Sequence, residues 1–138
     1  MNEKTSEKML VLVTSDDLNK VLTAFLIAIE AGKKEMEVSM FFMSCSIKAL
    51  KKGSKLWLKG ILMPFTFIAI KKMQTVGIGK LSDQIITAKE LGTKLYACRA
   101  CTEMLKLNNS NMIADVEIAD RSLYIDLLQE SDHHIEIC

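Results

Sequence analysis

The sequence predicts an α/β fold: a mostly parallel sheet of five strands with helices on both faces. Three observations carry the expectation. Short, mostly apolar runs, such as Met9–Thr14 and Met36–Met43, alternate with longer stretches of helical period. Apolar runs of this length suit strands buried on both faces. Capping side chains precede the helical stretches, and Gly32 and Gly92 follow two of them. Strand–helix alternation of this kind specifies right-handed crossovers, and therefore parallel neighbours. At 138 residues the chain reads as a single domain, 1–138, large enough to bury a substantial core without staples.

Each element has its own signal. MLVLVT, Met9–Thr14, is the first strand. Ser15-Asp16-Asp17 then supplies capping oxygens for a helix with apolar positions Leu18, Val21, Leu22, Phe25, Leu26 and Ile29. Gly32 is placed to end that helix as its C-cap. Met36–Met43 is the second strand, and Ser44-Cys45-Ser46 leads into a short helical stretch ending at Leu50, before Gly53 breaks the pattern. Helical period returns over Leu81–Leu91, with Ser82 or Asp83 as N-cap and Gly92 as terminator. Lys94–Ala97 is the third strand, and the helix that follows frays at Asn108-Asn109-Ser110-Asn111. A fourth strand falls within Met112–Ile118. Ala119–Glu130 is a helix with Leu123, Leu127 and Leu128 inward, and Ile135–Cys138 is the fifth strand.

Composition bounds the function. The net charge is +1 with 25% charged residues, so nothing resembles the electrostatic footprint of a nucleic-acid binder. Hydrophobic residues reach 49% and the mean hydropathy is +0.18. For a small domain this implies buried parallel strands plus a subunit interface, hence a homo-oligomer. One proline and six glycines leave little room for long disordered linkers. The polar, mixed-charge start, Met1 to Lys8, is unlike a secretory leader, and four cysteines without disulfide-framework spacing favour a reducing, cytoplasmic setting.

The chemistry is expected at Cys98-Arg99-Ala100-Cys101, directly after the apolar run Lys94-Leu95-Tyr96-Ala97. A cysteine at a strand-to-helix junction meets outward-pointing backbone N–H groups and the favourable end of the helix dipole. Such placement lowers a thiol pKa from about 8.5 into the range of roughly 3.5–7.5. Cys98 and Cys101 are therefore the candidate catalytic thiols, with Arg99 adding positive charge. On this assignment Cys45, Cys98 and Cys138 all follow strands and share the carboxyl edge of the sheet, where ligands of such folds gather. Cys45 or Cys138 would approach Cys98 according to strand order, and Cys45 is the candidate supporting thiol. A lone CxxC leaves sulfur carrier, dithiol redox site and half a metal site in competition.

Over nearly its whole length the chain resembles the DsrE/DsrF-like proteins of the DsrEFH and TusBCD kind. The resemblance rests on MLVLVT, the helix from Asp17 to Gly32, the strand ending MFFMSC, and KLYACRACTEML. It implies a three-layer α/β/α domain on a five-stranded parallel sheet, homo- or hetero-oligomers, and sulfur carried as a cysteine persulfide. The family's cysteine lies directly after a central strand and opens a helix, and Cys98 matches that position. The resemblance also implies a TusA-like or rhodanese-like donor or acceptor protein. Two departures stand out. The apolar insertion at about 52–80 resembles the extended, peroxiredoxin-like DsrE subgroup, and Cys101 is absent from many simple carriers.

The expected function is a sulfur relay, a sulfurtransferase without cofactor or metal, in which Cys98 accepts sulfane sulfur and passes it to an acceptor thiol. Cys101, at i+3, lies within reach of Cys98 for attack or a disulfide. A dithiol oxidoreductase is the chemical rival, although the sequence places no proline to supply a cis-Pro loop. A zinc site would have to draw on Cys45, Cys138, His133 or His134 and has no second paired motif. An oligomeric scaffold with inert, packed thiols is the non-catalytic rival. His133 and His134, adjacent at a strand entry, point to opposite faces and do not share a ligand. Asp16 and Asp17 are accounted for by helix capping. The charge-free stretch between Lys59 and Lys71 is far short of the roughly 20 residues a span needs. Residues 56–70 are read as an interface or lid rather than a peripheral membrane anchor. Gly77-Ile78-Gly79-Lys80 lacks the full spacing of a phosphate-binding loop.

Overall fold

A computed structural model describes residues 6–53, 68, 70–72, 80–113 and 115–138 of the chain. The described elements are β1 (Lys8–Val13), α1 (Leu18–Lys33), β2 (Glu37–Phe42), a 3-10 segment (Ser44–Leu50), α2 (Leu81–Glu90), β3 (Lys94–Cys98), α3 (Arg99–Met104), β4 (Val116–Ala119), α4 (Arg121–Glu130) and β5 (His133–Ile137). The five strands form one sheet in the order β4-β3-β2-β1-β5, and every pairing is parallel. Most of the insertion expected at about 52–80 lies outside the described residues.

Strand alternation divides the side chains between two helical layers. Val13 is in register with Phe42 and Leu12 with Phe41, so β2 sends consecutive aromatic rings to opposite faces. On one face Phe42 stacks on Phe25 of α1 with ring centroids 5.8 Å apart. On the other Phe41 stacks on Tyr96 at 6.1 Å and meets the edge of Tyr124, from α4, at 5.5 Å. Both layers bury the central strands: Leu10, Val11, Val13, Met40, Phe41 and Phe42 are all wholly inaccessible. The three-layer α/β/α architecture thus follows from apolar residues at successive strand positions, as expected of a sheet covered on both sides.

Several boundaries differ from the sequence expectation, each for a physical reason. Asp17 caps α1 as expected, its Oδ1 accepting from Asn19 N–H at 2.9 Å. Gly32, however, is not the C-cap. It lies inside the helix, where a Cβ would stand 2.9 Å from Leu91 Cβ, and the left-handed residue after the helix is Glu35, φ 64°. Gly32 is there for close approach between α1 and the end of α2. For α2 the N-cap is Lys80, not Ser82 or Asp83; Asp83 instead reaches back from the first turn to accept from Lys80 N–H at 3.3 Å. Gly92, φ 92°, terminates α2 as expected.

The fourth strand is confined to Val116–Ala119, because Met112 instead makes an isolated antiparallel bridge to Lys51. The fifth begins at His133, two residues before the expected Ile135, drawn in by pairing with β1 from Met9 onward. The two histidines do point to opposite faces, but both are exposed, and each has a side-chain partner. His133 Nε2 lies 2.9 Å from Glu7 Oε2, and His134 Nε2 lies 2.7 Å from the Tyr124 hydroxyl.

Candidate active site

An all-parallel sheet brings every strand's carboxyl end to one edge, so Thr14, Met43, Cys98, Ala119 and Ile137 begin the loops of a single rim. Strand order decides which cysteines meet. Cys45 follows β2, immediate neighbour of the strand that ends at Cys98. Cys138 follows β5, three strand positions from β3, a separation of about 14 Å at 4.8 Å per strand. The candidate site is therefore built from β3, α3, the 3-10 segment and the start of α4, without Cys138.

Cys98 ends β3 beside Ala119 of β4 and serves as the N-cap residue of α3. Its carbonyl accepts from Thr102 Oγ1 at 2.7 Å, a buried bond that fixes the first turn. Its side chain makes no capping hydrogen bond, and α3 is only six residues long. The expected help from helix-terminal amides and dipole is correspondingly small, because both depend on an aligned run of peptide units. Nor is Cys98 open to solvent: it is 1% exposed, whereas Cys101 is half-buried and Cys45 exposed. Of the CxxC pair, Cys101 is the thiol nearer solvent.

The surroundings of Cys101 are specific. Burial raises its pKa above that of an ordinary thiol. The backbone N–H of Ser44 donates to its sulfur and opposes that rise. The neighbouring Cys98 thiol raises the pKa further, while the Arg121 guanidinium lowers it. Ser44 reaches this position because it adopts a left-handed backbone, φ 58°, at the turn out of β2. Ser46, fully buried, ties the turn down by donating from one hydroxyl to Val13 O and Met43 O, each at 2.6 Å. The 3-10 segment is thus anchored to β1 while carrying Ser44 and Cys45 toward β3.

Two cations frame the pair differently. Arg99 turns away from the thiols, with Nε 3.1 Å from Asp120 Oδ1 and its guanidinium 3.5 Å from Ile118 O. Arg121, at the start of α4, is the cation whose charge reaches Cys101. It comes near because Cys98 and Ala119 are register partners, so the residues after β4 emerge beside α3. Neither Arg121 nor the Ser44 N–H is marked in the sequence; an arginine two residues beyond a strand adjacent to β3 becomes a signal only once strand order is known. Asp16, beside the same rim, pairs with Lys48 at 3.6 Å. Among the described residues, no group of three or more His, Cys, Asp or Glu side chains is arranged to hold a metal ion. No described helix is long and apolar enough to cross a membrane.

Comparison with known proteins agrees with this architecture. A Bacillus subtilis (strain 168) protein, the uncharacterised YrkE, is 27% identical over 149 aligned residues, covering 91% of this chain and 92% of its own. The crystal structure of YchN from E. coli superposes with a TM-score of 0.70 at 14% identity, covering 96% of this chain and 99% of that one. The Methanobacterium thermoautotrophicum protein MTH1491, of unknown function, superposes equally well at 10% identity, covering 95% and 99%. At such identities the solved structures establish the shared fold. The model of the DsrE/DsrF-like family matches residues 7–137, nearly the entire chain including the cysteine rim, and the chain therefore belongs to the DsrE/DsrF-like family.

Proposed function

We propose that the chain is a sulfur-relay protein that carries sulfane sulfur as a persulfide on Cys98 and hands it to an acceptor thiol. The observation that carries the reading is the Cys98–Cys101 contact at the end of a central parallel strand, in a family that generally implies sulfur relay. In the forward step the Cys98 thiolate attacks the outer sulfur of a donor persulfide. A new S–S bond forms on Cys98 and the donor leaves as a thiolate. In the second step an acceptor thiolate attacks that outer sulfur and Cys98 leaves as a thiolate. No net oxidation occurs in either step, and no cofactor or metal takes part. Burial of Cys98 requires α3 to yield before a donor enters, and a helix of six residues opens locally at low cost.

A homo-oligomer fits this reading. Ile86, Met104 and Ile125 are exposed on α2, α3 and α4, and Met104 lies on the same short helix as Cys101. The exchange partner is a TusA-like or rhodanese-like protein, and a cytoplasmic setting suits a chain whose free cysteines include two exposed ones. Cyanolysis tests the relay: cyanide removes the outer sulfur of a persulfide as thiocyanate. Assayed at once after brief treatment with inorganic polysulfide, Cys101→Ser is expected to yield thiocyanate near one equivalent per chain, wild-type protein the same amount or less, and Cys98→Ser close to none. Full release from Cys98→Ser would overturn the assignment.

A further inference from the structure

The relay leaves one feature unused, a second thiol, nearer solvent, beside the sulfur that carries the load. A pure carrier needs one cysteine. Here the second thiol is held from three directions. The first turn of α3 sets it three residues beyond Cys98, the N-cap residue, so the two side chains are neighbours. The left-handed Ser44 brings an N–H to its sulfur, and the Ser46 anchor holds that turn against β1. Arg121 supplies positive charge from the start of α4. An N–H donor and a guanidinium both favour an anionic sulfur, so they assist Cys101 when it gives up its proton.

From this juxtaposition we infer that Cys101 is a resolving thiol, which attacks the inner sulfur of a Cys98 persulfide and releases hydrosulfide. The inference rests on the relay reading for the persulfide it consumes. Cys101 Sγ bonds to Cys98 Sγ, and the bond from Cys98 Sγ to the outer sulfur breaks. The outer sulfur is reduced and departs as hydrosulfide with the proton that Cys101 gives up, while the two cysteines are oxidised to a disulfide. A dithiol reductant then restores both thiols and becomes a disulfide itself. Cys101 sits in the first turn of the helix that Cys98 caps, beside the Cys98 sulfur, which is the inner atom of the persulfide, so attack there is favoured over capture of the outer sulfur. The chain would thus have two outlets: transfer when an acceptor thiol is present, and sulfide release when none arrives.

The test uses the full chain loaded with inorganic polysulfide, desalted, and held without oxygen or acceptor at about pH 8, near an unperturbed thiol pKa. Hydrosulfide and the Cys98–Cys101 disulfide are followed together, the disulfide by peptide mapping. Wild-type protein is expected to form one disulfide per hydrosulfide released. Cys101→Ser is expected to keep its sulfur on Cys98 at least about tenfold longer, since an oriented neighbouring thiol has a very high effective concentration. Arg121→Gln is expected to slow release per loaded chain, the rate being normalised to the sulfur actually held on Cys98. Equal release from wild type and Cys101→Ser, sulfur found on Cys101, or a loaded wild-type chain that never forms the disulfide would overturn the inference and leave the relay standing. Failure of Cys98 to load at all would remove both.

Discussion

Cys101 is where single-residue chemistry is most exposed to test. Its thiol is held above the ordinary range chiefly by burial, with Cys98 adding to the rise and the Ser44 N–H and Arg121 opposing it. Iodoacetamide labelling of Cys101, followed by peptide mapping across pH, is therefore expected to show an apparent pKa above about 8.5. Cys98→Ser should lower that midpoint and Arg121→Gln should raise it; a midpoint below the ordinary thiol value would contradict the geometry. The sign for stability follows. Between the ordinary and the raised value the unfolded chain loses this proton while the folded chain keeps it, so this group's contribution declines as pH rises through that window. Ser46 is the second test at this scale. Ser46→Ala removes a buried hydroxyl shared by two carbonyls and is expected to cost about 1–3 kcal/mol in urea denaturation. It should also change the Cys101 labelling rate through Ser44, and unchanged labelling would separate the anchor from the site. The cysteine pair itself was legible in sequence, because CxxC after an apolar run marks a strand-to-helix junction. Its partners were not, since Ser44 and Arg121 lie far from it in the chain and meet it only through strand order.

Among the elements, α1 shows how local and tertiary demands divide. Its start is written locally: Asp17→Ala removes the capping bond to Asn19 and is expected to cost about 1 kcal/mol. Its end is governed by a neighbour. Gly32→Ala would gain about 1 kcal/mol of helix propensity, yet the new Cβ meets Leu91 Cβ at 2.9 Å. Overpacking of this kind costs about 1–3 kcal/mol, so a net loss of stability is expected. Leu91→Gly should offset part of that loss in the double variant. A stabilised Gly32→Ala would show that α2 shifts freely. The same division explains what the sequence disclosed. Helices and strands with strong apolar period were placed within a residue or two, as at Lys8–Val13 and Leu18–Lys33. Gly32 was misread because a close approach and a left-handed cap leave the same residue type. The early start of β5 was hidden because His133 and His134 carry no strand signal; pairing with β1 recruits them. The apolar run over 56–70, read as an interface or lid, lies almost wholly outside the described residues.

At the scale of the whole molecule, the sheet is both core and positioning device. Parallel pairing through the order β4-β3-β2-β1-β5 sets Cys98 on an inner strand, with β2 and β4 on either side supplying the 3-10 segment and α4. Phe41, wholly buried between Tyr96 and Tyr124, ties α4 to the sheet. Phe41→Ala is expected to cost about 3–5 kcal/mol and, by loosening α4, to reduce the influence of Arg121 on Cys101. On the proposed relay, the buried cysteine at the end of β3 holds transferable sulfur. Its most direct test is peptide-resolved mass spectrometry after brief exposure to polysulfide and trapping with iodoacetamide. One added sulfur is expected on the peptide containing Cys98, retained in Cys101→Ser and lost in Cys98→Ser. Added sulfur confined to Cys45 or Cys138, with none at Cys98 in the folded chain, would contradict it and mark the CxxC pair as packed, structural thiols.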